Sequence, residues 1–339
     1  MPDVKLSLLQ GNDEAEYTAY LQSHPASLIY SSLSYKNFLE DLLGCESSYW
    51  IAREGDRVTG VLPVMWMLGP VGRVVNSLPF YGSNGGVLAS TPASEIALVR
   101  KFEELASARD VASATWITHP FMAARIAPVH DLEDERISQI TRLTSDRAEL
   151  LEVIDGSARR NIRKAQSEGV TVRIDNDAFA FLERAHRAGM NAIGGNAKSP
   201  DFFAKVPRHF KANRDYRIYV AEHRGEPCAA LLLFYFNRTI EYFTPATLET
   251  ARTVQPMALV LLNAMLDGAA DGYTRWNWGG TWISQENVFR FKQKWGADSG
   301  RYKYYVKLNG PGIKRCSQAD LLGGYPGFYV VPFSALETV

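Results

Sequence analysis

The feature that most constrains how this 339-residue chain can fold is a weak internal repeat. "YWIAREGDRVTGVLPVMW" (49–66) and "IYVAEHRGEPCAALLLFY" (218–235) share one pattern: an aromatic-rich strand ending in Ala and a charge, a turn around Gly55 or Gly225, then a second apolar strand. Two copies of one hairpin, about 170 residues apart, predict two similar domains. The length is long for one core and comfortable for two.

Helical periodicity precedes each hairpin. "AEYTAYLQSH" and "SYKNFLEDLLG" lead into the first; "DRAELLEVI", "ARRNIRKAQSEG", "AFAFLERAHRAGM" and "PDFFAKVPRHFKAN" lead into the second. After the second hairpin come a strand, "IEYFTPAT", and the helix "VQPMALVLLNAMLDGAADG", in which Val254, Met257, Ala258, Leu261, Leu262, Met265 and Leu266 fall at core spacing. "YTRWNWGG" is a buried strand that opens at two glycines. Helices, hairpin, strand, helix, strand is the order of an α/β domain with a mixed central sheet. Charges around 143–156 mark the boundary, so domains are expected at 1–145 and 146–309. The Gly- and Pro-rich tail 310–339 is expected to wrap a surface and add one strand to the first domain.

Charge narrows the function classes. Lys plus Arg equals Asp plus Glu at 37 each, so no global field draws the chain to nucleic acid or membrane, and an anionic partner must meet a local cluster. Cys45, Cys228 and Cys316 are three, widely spaced, and lack CxxC or His partners at ligand spacing, so neither a disulfide framework nor a zinc site is indicated, which suits a reducing cytoplasm. The first residues lack a basic segment followed by an apolar core, and no apolar run approaches the roughly 18 residues needed to cross a bilayer. HExxH, GxSxG and GxxxxGK[ST] are all missing, and no two histidines pair at i, i+4, so no metal is expected. His119 and His186 suit structural roles better than catalytic ones.

Three stretches carry candidate chemistry. In "SARRNIRKAQSEG", with Ile162 facing inward, Arg159, Arg160, Arg163 and Lys164 spread over one arc behind a helix N-terminus. That arc is either a solvated face or a phosphate-binding one. "NSLPFYGSNGGVLAS" gathers Tyr81, Asn84, Gly85 and Gly86 into a loop whose glycines allow close approach of a ligand, although such loops are more often plain turns.

The third, "WNWGGTWISQENVFRFKQKWGA", poses the sharpest question. Taking Ser284 as N-cap and Gly296 as the stop, Val288, Phe291 and Trp295 share a helix face, and Lys292 falls inside that arc. Arg290, Gln293 and Lys294 point the other way. A strand opening at Gly279 and Gly280 into Thr281, followed by an inward lysine, puts an ammonium at the edge of a sheet where α/β proteins hold ligands. The alternatives are a satisfied ion pair and a charge placed to meet a developing oxyanion.

Taken in order, "ARRNIRKAQSEGV", "VAEHRGEPCAALLLFYF", "EYFTPAT" and the Lys292 stretch resemble the Fem family of peptidoglycan-bridge aminoacyltransferases and their GNAT-fold relatives, most strongly over 150–306. The resemblance implies two tandem GNAT-like domains and transfer of an aminoacyl group from aminoacyl-tRNA to an amine of a cell-wall precursor, UDP-linked or lipid-linked. It implies that Phe291 and Lys292 match the family's catalytic Phe-Lys pair, that Arg187 in "RAHRAGMN" meets acceptor phosphates, and that Lys36 in "SYKNF" binds substrate. Arg159, Arg163, Tyr81, Asn84, Tyr242, Gly279 and Thr281 complete the expected substrate-binding set.

The chain departs from the family in lacking a coiled-coil arm. It departs from acyl-CoA enzymes in having no glycines around "ETARTVQPMAL", where a pyrophosphate loop would fall. The expectation is therefore a cytoplasmic, monomeric N-acyltransferase of cell-wall biogenesis with no cofactor. The alternatives are an acyl-CoA-dependent N-acyltransferase of polysaccharide or secondary metabolism, and a non-catalytic binding protein on the same fold.

Overall fold

The computed structural model describes residues 3–80 and 84–337; Tyr81 of the candidate set lies outside them. The chain divides into two compact units, one made of Met1–Ile137 with Arg301–Val339 and the other of Ser138–Gly300.

The first unit runs through β1 (Val4–Leu8), α1 (Glu14–Ser23), α2 (Leu33–Leu43), β2 (Glu46–Glu54), β3 (Arg57–Gly69), β4 (Gly72–Asn76), β5 (Leu88–Ala89), α3 (Pro92–Ala106) and β6 (Val111–Ile117). The chain then leaves along β7 (Leu132–Arg142). The predicted hairpin is β2–β3, and Gly55 turns it at φ +61°, a conformation glycine adopts without a steric penalty. β4 and β6 run parallel, so both C-terminal ends reach one sheet edge. Thr91 caps α3 by accepting the Ser94 amide, and Pro92 supplies the first helical φ. Leu98 and Phe102 of that helix pack on Leu62, Val64, Val75 and Trp116, with the Phe102 and Trp116 rings edge-on at 5.0 Å.

The second unit holds α4 (Arg147–Val153), α5 (Gly156–Ser167), β8 (Thr171–Ile174), α6 (Phe179–Ala192), α7 (Pro200–His209), β9 (Tyr216–His223), β10 (Glu226–Phe236), β11 (Thr239–Thr247), α8 (Pro256–Ala270), β12 (Arg275–Trp282) and α9 (Glu286–Gln293). Its strands lie in the order β7-β12-β11-β10-β9-β8. Alternation along the strands gives the sheet two apolar faces. Tyr219, Leu231, Leu233 and Trp276 meet α5 and α8 on one face. On the other, Phe234 and Phe243 meet Phe202 and Phe210 from α7 and its end. Helix α8 is buried over most of its surface, and at Gly268 an added Cβ would stand 2.1 Å from the Ile240 methyl, so a larger residue there would have to displace the tip of Ile240.

From this unit β13 (Ala297–Leu308) returns to pair with β6, and the tail follows with α10 (Gln318–Gly324). The tail adds no strand among the described residues, contrary to expectation. Side chains rather than a strand edge meet its backbone. Asn76 donates to the Tyr329 carbonyl and accepts the Tyr329 amide, both at 2.8 Å, while Ser113 donates to the Val330 carbonyl at 2.5 Å.

The unit boundaries also differ from those expected. They fall inside β7 and β13, not in the charged segment 143–156. The two aspartates of that segment are helix caps: Asp146 accepts the Ala148 and Glu149 amides, and Asp155 accepts that of Ser157. No helix among the described residues is long and apolar enough to cross a membrane.

Candidate active site

The second unit's sheet opens next to Lys292. β11 and β12 are registered in parallel only from Thr239–Glu241 against Arg275–Asn277, although β11 continues to Thr247 and β12 to Trp282. Just past that point β11 bulges against β10: Leu233 faces Tyr242 and Leu232 faces Thr244, which leaves Phe243 as the extra residue. A bulge bends its strand and releases backbone groups from the ladder, and bulges recur beside active sites. The rings of Tyr242 and Trp278 fill the opening with centroids 4.9 Å apart.

Strand β12 turns out of the sheet through Gly279, whose φ of +69° suits glycine and whose amide is held by the Asn277 side chain at 3.0 Å. Helix α9 follows. Its N-cap is Gln285 and not Ser284, because the Gln285 Oε1 accepts the Trp282 amide and sets the turn one residue later. The helix ends at Gln293 with Lys294 as its C-cap, and not at Gly296 as expected; Gly296, at φ +70°, closes the turn that leads into the next strand.

Only part of the face expected to be apolar is buried: Trp295 is, and Lys292 inside the same arc is, but the other two are not. Val288 and Phe291 are each 39% exposed, whereas Lys292 is 4% exposed and is the sole buried residue of α9. Two turns of helix leaning on a strand end cannot bury a whole stripe, and within α9 the buried contact is made by the lysine. The Lys292 Nζ donates to the Thr281 Oγ1 at 2.7 Å and sits 3.4 Å from the carbonyl oxygens of Gly279 and Gly280.

Thr281, fully buried, donates to the Gln139 Oε1 at 3.1 Å, and the Gln139 Nε2 donates to the Phe289 carbonyl at 3.0 Å. This relay leaves α9 at Lys292, crosses β12 and β7, and re-enters α9 at Phe289. A second brace lies beside it: the Trp278 Nε1 donates to the Thr141 Oγ1 at 2.8 Å, which donates to the Trp295 carbonyl at 3.0 Å.

Every partner of the ammonium is neutral. A cation surrounded by dipoles and shielded from water loses solvation without gaining a counter-charge, and burial lowers the Lys292 pKa from 10.5 to about 8. It remains mostly protonated at neutral pH, with a field no carboxylate cancels.

The other expected site residues separate into groups. Phe291 stands edge-on to Trp278 at 5.9 Å, half open to solvent, and Tyr242 packs on the same indole. Beside Tyr242 is a cavity of about 250 Å³ lined also by His186, Pro245, Thr247, Arg252 and Met257. His186 accepts the Lys198 amide there, and burial holds its pKa near 4, so the ring is neutral and structural.

Arg159 donates to the Leu151 carbonyl in the first turn of α5, while Arg163 is exposed further along it. Arg187 is exposed on α6 and paired with Glu183. Neither it nor Arg163 touches Lys292. In the first unit Lys36 is bound to Glu40 at 2.8 Å across one helical turn, an arrangement that already satisfies its charge. Asn84 there is buried and hydrogen-bonded to Tyr302. No group of His, Cys, Asp and Glu among the described residues could hold a metal.

Gln139, Thr141, Asn277 and Trp278 escaped the sequence reading. Gln139 and Thr141 lie about 140 residues before their partners in a strand with no distinguishing motif. A signal was available at Asn277 and Trp278, since an asparagine and an indole directly before a Gly-Gly break both need partners.

The profile of the acetyltransferase (GNAT) domain family matches residues 156–303. Among solved structures the fold is similar to FemX, with a TM-score of 0.69 and 14% identity, covering 88% of this chain and 96% of that one. It is also similar to the C-terminal domain of a protein assigned as a lysylphosphatidylglycerol synthetase from Agrobacterium fabrum, at TM-score 0.59 and 12% identity over 94% and 99% of the two chains. A tandem GNAT protein from the clavulanic acid biosynthesis pathway follows at TM-score 0.53 and 13% identity, over 91% and 100%. No curated protein matches the chain by sequence.

Fold and domain profile together define the class: an acyltransferase built from two GNAT-like domains. Within that class the architecture is similar to that of FemX, in keeping with the Fem resemblance in the sequence.

Proposed function

We propose that this acyltransferase moves an aminoacyl group from aminoacyl-tRNA to an amine of a cell-wall precursor peptide, with Lys292 as the oxyanion-stabilising group. One observation carries the reading: a buried ammonium with only neutral partners, braced by Thr281 and Gln139, at the mouth of an opened sheet. The acceptor nitrogen attacks the ester carbonyl, a C–N bond forms, and negative charge collects on the carbonyl oxygen. Lys292 meets that charge. The intermediate collapses with cleavage of the ester C–O bond, and the proton lost by the amine leaves on the ribose hydroxyl. A prepositioned cation in a dry site needs no reorganisation as the charge develops, which is where such sites gain most of their rate.

The donor choice is supported at the start of α8. Residues Glu249–Val254 form a 3-10 turn, Gln255 is left-handed, and Pro256 opens the helix without an amide hydrogen. A pyrophosphate cradle uses free amides and close-approach glycines at this place; here the glycines are missing and Pro256 removes one amide. Arg159 and Arg163 on α5 are the candidate phosphate contacts, and Arg187 is the candidate for the acceptor's phosphates. The resemblance of the sequence to the Fem family implies this donor and acceptor, and synthesis in the cytoplasm fits both substrates.

The deciding experiment is thermal stability with saturating acetyl-CoA, UDP-MurNAc-pentapeptide or a charged tRNA pool, because a ligand that binds the folded state raises its melting point. Protection by the muropeptide or tRNA and none by CoA supports the proposal; protection by CoA alone transfers the activity to an acyl-CoA enzyme. Tight precursor binding without turnover, unchanged in Lys292→Ala, identifies a binding protein instead.

A further inference from the structure

Twelve large hydrophobic residues are exposed among the described residues, and four of them, Trp282, Ile283, Val288 and Phe291, fall within ten consecutive positions. Scattered exposed apolar side chains are ordinary, but a run of this kind around one turn and one helix marks a binding surface. The run extends further, since the space a side chain on Gly296 would take is filled by Val153, itself 53% exposed.

The charges next to this patch are of both signs: Arg290 and Lys294 are exposed on α9 and its C-cap, beside Glu286, which pairs with Arg290 at 2.5 Å, and beside Glu152 and Asp155, which flank Val153; the basic excess lies on α5. The Asp155 amide donates to the Lys294 carbonyl at 2.8 Å, which fastens the start of α5 to the end of α9. From Gly156 to Ser167 that helix carries Arg159, Arg160, Arg163 and Lys164 and no acid. In a chain balanced at 37 charges of each sign, this is a local excess. Tryptophan, isoleucine, valine and phenylalanine on one surface, with a helix of cations fastened beside them, is the composition that settles into the boundary between headgroups and acyl chains of an anionic bilayer.

We propose that the end of β12 and helix α9 are an interfacial docking surface for an anionic membrane, bringing Lys292 to an acceptor carried on a lipid. The inference rests on the acyl-transfer reading for its purpose, but the surface itself does not depend on it. Chain connectivity links the two: Trp282 follows Thr281, and Phe291 precedes Lys292, so the residues that enter the headgroup layer are the covalent neighbours of the ammonium and its brace. Two turns of helix are far too short to span, and the association is peripheral and salt-sensitive.

The test is co-sedimentation of the full chain with phosphatidylcholine vesicles, with and without about one-third phosphatidylglycerol. Wild type is expected to pellet with the anionic vesicles and to be released by salt. Ile283→Asp with Val288→Asp is expected to bind at least about tenfold more weakly with an unchanged melting temperature, since both residues are exposed. In a second measurement, brominated lipid should quench tryptophan fluorescence in wild type and much less in Trp282→Phe. Wild type that stays in the supernatant at low salt, or a double variant that binds as well as wild type, overturns the proposal. So does a double variant that loses affinity for a short RNA while keeping that for vesicles, which would make the patch an RNA surface. Vesicle binding through the patch without transfer from aminoacyl-tRNA would leave this surface standing and remove the donor assignment.

Discussion

The ammonium of Lys292 lies 2.7 Å from the hydroxyl of Thr281, and that hydroxyl hands its own proton to Gln139. One lone pair and the proton of one threonine are thereby committed to fixing a charge. Such an arrangement costs folding free energy, and the predictions below separate that cost from its use.

Lys292→Ala is expected to lower transfer from aminoacyl-tRNA to a muropeptide roughly a hundredfold or more while the fold survives, the effect of losing an oxyanion-stabilising group. Turnover with purified substrates and circular dichroism check the two halves. Full activity, or an unfolded variant, would remove the assigned role.

Stability should move the other way in Lys292→Met. In the folded chain the lysine loses its proton near pH 8, against 10.5 when solvated. Below pH 8 both states hold the proton, and the fold bears the whole penalty of a buried charge. Between pH 8 and 10.5 only the unfolded chain holds it, so wild-type stability rises with pH by about 3 kcal/mol in all. The methionine variant is therefore expected to be about 1–3 kcal/mol more stable than wild type at pH 7, with the gap closing toward pH 10.5. Urea denaturation at several pH values measures it.

Activity should show the matching alkaline limb. The cation is the working form, so the rate is expected to decline as pH rises through about 8, the folded value for Lys292. A rate that is flat to pH 10 would mean that the ammonium takes no part.

Thr281→Val keeps the shape of the buried site and removes its hydroxyl. It leaves Lys292 without its shortest partner and the Gln139 oxygen without a donor, a loss of about 1–3 kcal/mol. The decisive readout is the alkaline limb, which should shift to lower pH because the charged form has lost a hydrogen bond. A purely structural threonine would lower stability and leave the limb in place.

Asn76→Ala tests the attachment of the tail. The asparagine is fully buried and holds both the amide and the carbonyl of Tyr329; Thr115 also donates to that carbonyl, so truncation leaves the amide unmet at a cost of about 1–3 kcal/mol. Limited proteolysis should then cleave near Tyr329 long before the core, whereas in wild type the two are expected to resist together.

Most strands and helices were legible because their signals are local. The hairpins declare themselves through Gly55 and Gly225, both at positive φ, and α8 through its apolar spacing. The inward turn of Lys292 was legible for a reason that proved incomplete. Periodicity placed it among apolar neighbours, yet Val288 and Phe291 are the exposed ones, because a helix this short is oriented by its hydrogen bonds and not by its stripe. Gln139 and Thr141 could not be found, since their partners arrive over a hundred residues later and nothing in "SQITR" foretells them. The tail misled for a related reason: its extended segments are paired with side chains, which leave no alternating pattern to read.

The crossing of unit boundaries inside β7 and β13 bears on how the chain is made. The second unit is one uninterrupted stretch of 138–300, complete as soon as it has emerged from the ribosome. The first is the earliest synthesised and the last able to finish, because β6 must wait for β13 and Asn76 must wait for Tyr329. During translation its sheet stands with an unpaired edge at β6 while the whole second unit is built, an interval in which a nascent chain depends on chaperones or on the speed of elongation. Slow codons in the stretch encoding 138–300 would lengthen that exposure, and a gene circularly permuted to begin at residue 301 would abolish it.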